Sequence, residues 1–229
     1  QDQERLGDLP QGQDVVGDQL VPVDIIGDNY IVPEINNPNH VYVVATEDNT
    51  NIYVYDVLGL PIGPTPYTTL NRGEQALVIV PGGTKYNRIT SRVNPADPAK
   101  PFYVFQMGIE NQSRGGALVP AIGCTGNTQL AFTRARSDNK FYFFIITESG
   151  NEDKFLIDGV RDDGIIDPGA FTEMQGSDGW VVWFSNSINS NTLTVGQHLV
   201  QNTGGIFHLA ILNGFPGAAQ GRLYFGYYS

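Results

Sequence analysis

Of the 229 residues, one is cysteine, three are histidine and 13 are lysine or arginine. The single thiol, Cys124, makes an internal disulfide impossible, and with so few histidines it excludes a zinc site of the Cys/His kind. Against the 13 basic residues stand 24 acidic ones, a formal charge of -11. A chain that binds nucleic acid needs a basic face to release counterions, so nucleic acid is excluded as a partner, and an anionic membrane repels the chain for the same reason. No run of about 18 apolar residues occurs, so nothing spans a membrane. No window of about 11 residues repeats apolar side chains at helical spacing without a glycine or proline interrupting it, which removes the long helix as a building unit. No charged, then apolar, then small-residue leader opens the chain. The polar start Gln1-Asp2-Gln3-Glu4-Arg5 and an end at Ser229 directly after a strand read as a processed chain or an excised piece of something larger.

What is present is hydrophobic residues at 41% with only 16% charged, and 27 glycines and 14 prolines. That composition builds cores joined by many turns. Short β-branched and aromatic runs recur every 8 to 12 residues or so, the pattern of antiparallel sandwiches. Val21 to Ile26 and Tyr30 to Ile35 are the first predicted strands, turning at Gly27-Asp28-Asn29. Val41 to Ala45 and Ile52 to Tyr55 read as a hairpin. The segment Pro61 to Pro66 reads as an extended crossing between sheets, since proline lacks the ladder donor. Tyr86 to Val93 reads as a half-buried strand.

The second half repeats the first. Leu118-Val119-Pro120 restates Leu20-Val21-Pro22, and Lys140 to Glu148 lies 100 positions after His40 to Glu47 in the same strand-then-Thr/Glu pattern. Phe102 to Gly108 closes one half as Ile206 to Gly214 closes the other. A repeat of this length is a duplicated domain, not a solenoid unit of roughly 20 to 50 residues. The expectation is therefore all-β: two tandem antiparallel β-sandwich domains of jelly-roll or Greek-key type related by internal duplication, residues 20–114 and 115–229, after a polar arm or linker at 1–19.

Catalytic residues are expected to be absent. A triad needs an oriented base and a nucleophile on a constrained turn, and no G-x-S-x-G elbow occurs. His40, His198 and His208 read as core or edge residues; a hydrolase would require His198 or His208 in a cleft with a carboxylate. Cys124, in Gly123-Cys124-Thr125-Gly126, reads as a structural thiol. For metal, Asp158, Asp162, Asp163 and Asp167 gather four carboxylates in a Gly-rich loop, the oxygen-donor chemistry that Ca²⁺ selects, without EF-hand spacing. Solvated turn acids are the competing account, because turns also demand Asp and Gly. No other cofactor is implied. For a carbohydrate ligand the candidates are Trp180, Trp183 and Tyr228; the two tryptophans, three apart on a strand, face opposite sides, so one is available for stacking on a sugar.

The segments Asp28-Asn29-Tyr30-Ile31-Val32-Pro33, Ala45-Thr46-Glu47-Asp48-Asn49-Thr50 and Pro101-Phe102-Tyr103-Val104-Phe105-Gln106 resemble the N-terminal domain of IgGFc-binding proteins. Gly115 to Pro120 with Cys124-Thr125-Gly126, and Gly204 to Leu209 with Tyr224-Phe225-Gly226-Tyr227, resemble the form this domain takes in large surface proteins of gliding and adhesive Bacteroidetes. The resemblance covers roughly residues 25 to 229. It implies a non-enzymatic, secreted or surface-displayed module of a larger adhesin-like protein, with a protein or glycan at the cell surface as its partner. Self-assembly would run through edge strands, and a carbohydrate-binding module is the alternative.

Overall fold

Alternation of branched and aromatic side chains makes each strand two-faced, and the structure resolves which face meets which. The computed structural model describes residues 21–228 apart from 36–37, 81–85, 95, 111–112, 124, 135–136, 138–139, 162–163, 186–187, 189 and 215–222. Its strands are β1 (Asn29–Pro33), β2 (Asn39–Ala45), β3 (Thr50–Tyr55), β4 (Thr68–Leu70), β5 (Gln75–Val80), β6 (Tyr86–Thr90), β7 (Phe102–Glu110) and β8 (Ser113–Leu118) in the first half. The second half has β9 (Gln129–Arg134), β10 (Lys140–Glu148), β11 (Phe155–Ile157), β12 (Val160–Arg161), β13 (Thr172–Glu173), β14 (Trp180–Phe184), β15 (Gly196–Asn202), β16 (Phe207–Gly214) and β17 (Leu223–Tyr228). Helical residues, among those described, are confined to three-residue 3₁₀ turns.

The strands form four sheets, all paired antiparallel, which stack as layers. Layer 1 is β5-β2-β7-β8, layer 2 is β1-β6-β3-β4, layer 3 is β13-β14-β10-β16-β17 and layer 4 is β12-β11-β15-β9. The strand order of layer 2 recurs in layer 4 with β9, β15, β11 and β12 in the places of β1, β6, β3 and β4. That of layer 1 recurs in layer 3, which adds β13 at its edge. Layers 1 and 2 enclose one core, with Val41, Val43, Val78 and Val104 facing Tyr30, Ile52, Val54 and Ile89. Layers 3 and 4 enclose a second, richer in aromatics: Phe141, Phe143, Trp183 and Phe207 against Phe132, Phe155 and Val200. Each is a sandwich in the sense expected, two sheets closed over inward-facing alternate residues.

A third apolar layer joins the sandwiches. Ile31 of β1 and Tyr86 of β6 turn outward from layer 2 and meet Phe144, Ile146, Trp180, Val182 and Ala210 on the outward face of layer 3. β6 is consequently buried along its whole length, not half-buried as the alternation suggested, because both of its faces carry a core. At the edge of this contact the Arg88 guanidinium donates from Nη1 to the Gly176 carbonyl at 2.5 Å and lies 4.8 Å from the centre of the Tyr55 ring. A Cβ on Gly176 would stand 3.1 Å from the Arg88 Nη2, and the residue sits at φ +75°, so glycine is required there. β17 runs beside β8, linking layer 3 to the edge of layer 1.

Four local expectations are corrected. Val21 to Ile26 is not a strand but a coil around a 3₁₀ turn, Val23–Ile25, with Val21, Val23 and Ile25 all exposed. β2 and β3 do not form a hairpin: β2 pairs with β5 and β7, β3 with β4 and β6. The turn between them carries the chain from one sheet across the core to the other. Conversely, the proline-rich segment does not cross between sheets. It joins β3 to its own neighbour β4, with Pro61 bridged to Tyr55. The 114/115 seam falls within β8, which is hydrogen-bonded along β7 and so completes the first sandwich.

Candidate functional site

The acidic loop begins at an Asp-Gly turn. Ile157 and Val160 pair across it, and Asp158 and Gly159 both take positive φ, +52° and +80°, the geometry that a two-residue hairpin demands and Asp-Gly supplies. The turn aims the Asp158 carboxylate at β15. Oδ2 lies 2.7 Å from Nδ1 of His198, and Oδ1 accepts the Leu199 backbone N–H at 2.8 Å. On the far side of the ring, Nε2 is 2.8 Å from the Thr194 carbonyl oxygen. Both ring nitrogens therefore face oxygen acceptors, one side chain and one backbone. Burial pushes the Asp158 carboxyl up, but the bonds from His198 and Leu199 outweigh it and hold the group below the ordinary aspartate value.

This pair has the base and the acid of a triad in the wrong relation. Nε2, the nitrogen that would take a proton from a nucleophile, is occupied by a backbone carbonyl, and the ring packs against Phe132 at 5.4 Å between centres. It ties the tip of β11 and β12 to β15. Asp167 is also engaged: its Oδ1 accepts from the Gly169 N–H at 2.9 Å and caps the 3₁₀ turn Pro168–Ala170. Asp162 and Asp163 lie outside the described residues. Among the described residues no three His, Cys, Asp or Glu side chains come together as a metal site would require.

The tryptophans do face opposite sides, and neither is available to a sugar. Trp183 is 5% exposed in the core between layers 3 and 4, stacked on Phe171 at 6.0 Å. Trp180 is 6% exposed in the layer between the two sandwiches. The expectation of an exposed ring fails because β14 is an interior strand whose two faces serve two cores. Tyr228 ends β17, opposite Leu209; its side chain lies outside the described residues, as does Cys124.

His208 points from β16 into the layer between the sandwiches, 5.7 Å from the Trp180 ring. It is 1% exposed, and among the described residues neither ring nitrogen has a hydrogen-bond partner. Burial lowers its pKa to about 4, so it is neutral at physiological pH. Among the described residues, burial is the cause of its shift and no carboxylate is paired with it.

Sequence reasoning passed over the outward face of layer 1. β2 alternates strictly, with Val41, Val43 and Ala45 buried and His40, Tyr42 and Val44 half-buried on the other side. Both phases are apolar or aromatic, so the run reads as a core strand and conceals that one of its faces looks outward. Across the sheet Tyr42 stands between Leu77 and Phe105, with Leu118 beyond. A second exposed feature is the turn after β3. There Asp56 Oδ1 accepts from the N–H groups of Leu58 and Leu60 at 2.9 and 2.8 Å, which fixes two leucines that are 69% and 58% exposed.

These features define a class: an all-β module of two stacked sandwiches whose described histidine–carboxylate pair joins the β11–β12 turn to β15. The chain belongs to the IgGFc-binding protein family, whose model matches residues 5–211. Among solved structures, a serine-rich repeat protein, Srr2, from Streptococcus agalactiae aligns with 10% identity over 88% of this chain and 83% of that one, at a TM-score of 0.13. A search of curated proteins finds no match. No helix among the described residues is long and apolar enough to cross a membrane.

Proposed function

We propose that the chain is a non-enzymatic adhesion or assembly module displayed at the cell surface or secreted as part of a larger protein, and that its halves are two copies of one sandwich. The observation that carries this reading is the fate of the chemistry-bearing side chains. Asp158 and His198 bind each other and backbone, Asp167 caps a turn, Arg88 ties one sandwich to the other, and His208 is sealed between them. Polar groups spent in this way stabilise a block whose work is done by its outer surface. Family membership supports a protein as the ligand class, since the family description names binding to IgG Fc. The carbohydrate reading is weakened by the burial of Trp180 and Trp183, two of its three candidate platforms.

Surface biotinylation and fractionation of the native cells test this. Labelling of the intact protein by a membrane-impermeant reagent, or its recovery from the medium, is expected. Recovery only in the cytosolic fraction would remove the reading.

A further inference from the structure

The two outermost faces of the stack differ in kind. On layer 4 the outward residues of β9 and β15 are Gln129, Ala131, Thr133, Gln197, Leu199 and Gln201, a polar surface. On layer 1, Leu77, Tyr42, Phe105 and Leu118 form one continuous cross-strand row. Ile79, 45% exposed, and Tyr103 flank it on neighbouring rows. No outward residue of β2, β5 or β7 whose side chain is described is Asp, Glu, Lys or Arg, although the chain carries a formal charge of -11.

The same sheet face already serves as an interface within this chain. Register places Val44 between Gln75 and Tyr103 in layer 1, and Phe144 between Phe184 and Ala210 in layer 3. The strand orders make these corresponding positions. In layer 3 that face is buried against Ile31 and Tyr86 of layer 2; in layer 1 it looks outward. We propose that the outward face of layer 1 docks on the same face of a second copy, giving a two-fold symmetric dimer.

A head-to-tail stack would lay layer 1 on the polar face of layer 4 and leave its apolar row against glutamines, so the internal arrangement does not propagate. Layer 1 against layer 1 matches apolar with apolar. It also lets two strongly acidic chains meet without opposed carboxylates among the described residues of β2, β5 and β7, and an isologous contact closes at two subunits. Four strands about 4.8 Å apart, with outward positions about 7 Å apart along each, give a patch on the order of 400 Å² in plan. That is the small end of specific interfaces, so the dimer is weak and concentration-dependent.

The proposal rests on the assembly reading only in taking a second copy as the partner, and it is tested on the purified full chain, so it fails separately from surface localisation. Sedimentation equilibrium from about 1 µM to about 1 mM spans the range where an interface of this size dissociates. The mass should rise from monomer to dimer across it. Leu77→Lys and Tyr42→Glu should each weaken the association at least about tenfold, through a desolvated charge within the interface, with the melting temperature unchanged because both side chains lie outside the cores. Leu199→Lys on layer 4 should change nothing. A chain monomeric throughout, with the face left to another partner or to residues 1–20, overturns the proposal. So does a dimer indifferent to both layer 1 substitutions, or one abolished by Leu199→Lys.

Discussion

Asp158 and His208 are two residues whose protonation the fold biases, in separate pH windows. The folded Asp158 carboxyl titrates below its ordinary 3.8. Its contribution is thus fully present above that value and disappears as pH falls through the lower folded one. The carboxylate is 48% exposed, so its pairing with His198 contributes no more than about 1 kcal/mol. Asp158→Asn should lower stability by that order at pH 6 and by progressively less below pH 4 or so, as urea denaturation would read. His208 acts at higher pH and in the same direction. The unfolded chain takes up this proton near 6.5 while the folded chain refuses it until about 4. Stability therefore falls as pH drops across that window, by a total on the order of 3 kcal/mol. His208→Leu, which suits the apolar surroundings, should flatten the slope of stability between pH 6.5 and 4; an unchanged slope would show that the ring finds a partner on protonation. His198 and His208 read in the sequence as core or edge residues, and both are buried. The Asp158–His198 bond was not legible, because its partners are 40 residues apart and meet only where β11 pairs with β15.

At the scale of elements, the segment from Asp158 to Asp167 engages two of its four carboxylates in turn and strand contacts, while Asp162 and Asp163 lie outside the described residues. Both oxygens of Asp158 are held by His198 and Leu199, and Asp167 holds Gly169; a calcium ion would have to displace these bonds to gain its ligands. Calorimetry in millimolar Ca²⁺ against EDTA should give superimposable transitions. A selective upward shift would mean that the loop rebuilds around the ion. Individual strands were legible wherever β-branched and aromatic residues ran between Gly, Asn or Pro: Val41 to Ala45 and Phe155 to Ile157 lie in strands of the structure, and the run Ile206 to Leu212 does so from Phe207 on. Their partners were not. The turn between β2 and β3 has the same composition whether the chain folds back in one sheet or arches over the core to the next, and only the packing of Val41 and Val43 against Ile52 and Val54 chooses the arch.

At the scale of the molecule, the layer around Phe144, Ile146 and Trp180 binds two sandwiches into one stack. Each fully buried side chain of that size stabilises the contact by roughly 1.5 to 3 kcal/mol, so the halves are expected to unfold together in a single calorimetric transition. Trp180→Ala removes the largest ring from this layer at a cost of about 3 to 5 kcal/mol and should resolve the transition into two, because each half keeps its own core. One transition that merely moves to lower temperature would instead mean that neither sandwich survives without the other. The same layer decides the roles of the aromatics. Of 25 Tyr, Phe and Trp residues, those offered for sugar stacking on the strength of their spacing include two that are interior, while Tyr42 and Phe105, unremarkable in the sequence, look outward.

By itself the sequence determined the class: no helical period, strands of alternating apolar residues, a second half echoing the first, and segments that mark the IgGFc-binding family. Those properties are local or compositional and survive in the unfolded chain. Only the tertiary structure decided that Trp180 and His208 lie between sandwiches, that β6 is buried on both faces, and that the row Leu77, Tyr42, Phe105 and Leu118 remains outward. A strand's period of two says that its faces differ; it does not say whether each meets a core, a neighbouring sandwich or solvent, because that depends on which sheets stack, and stacking is settled by contacts between residues far apart in the chain.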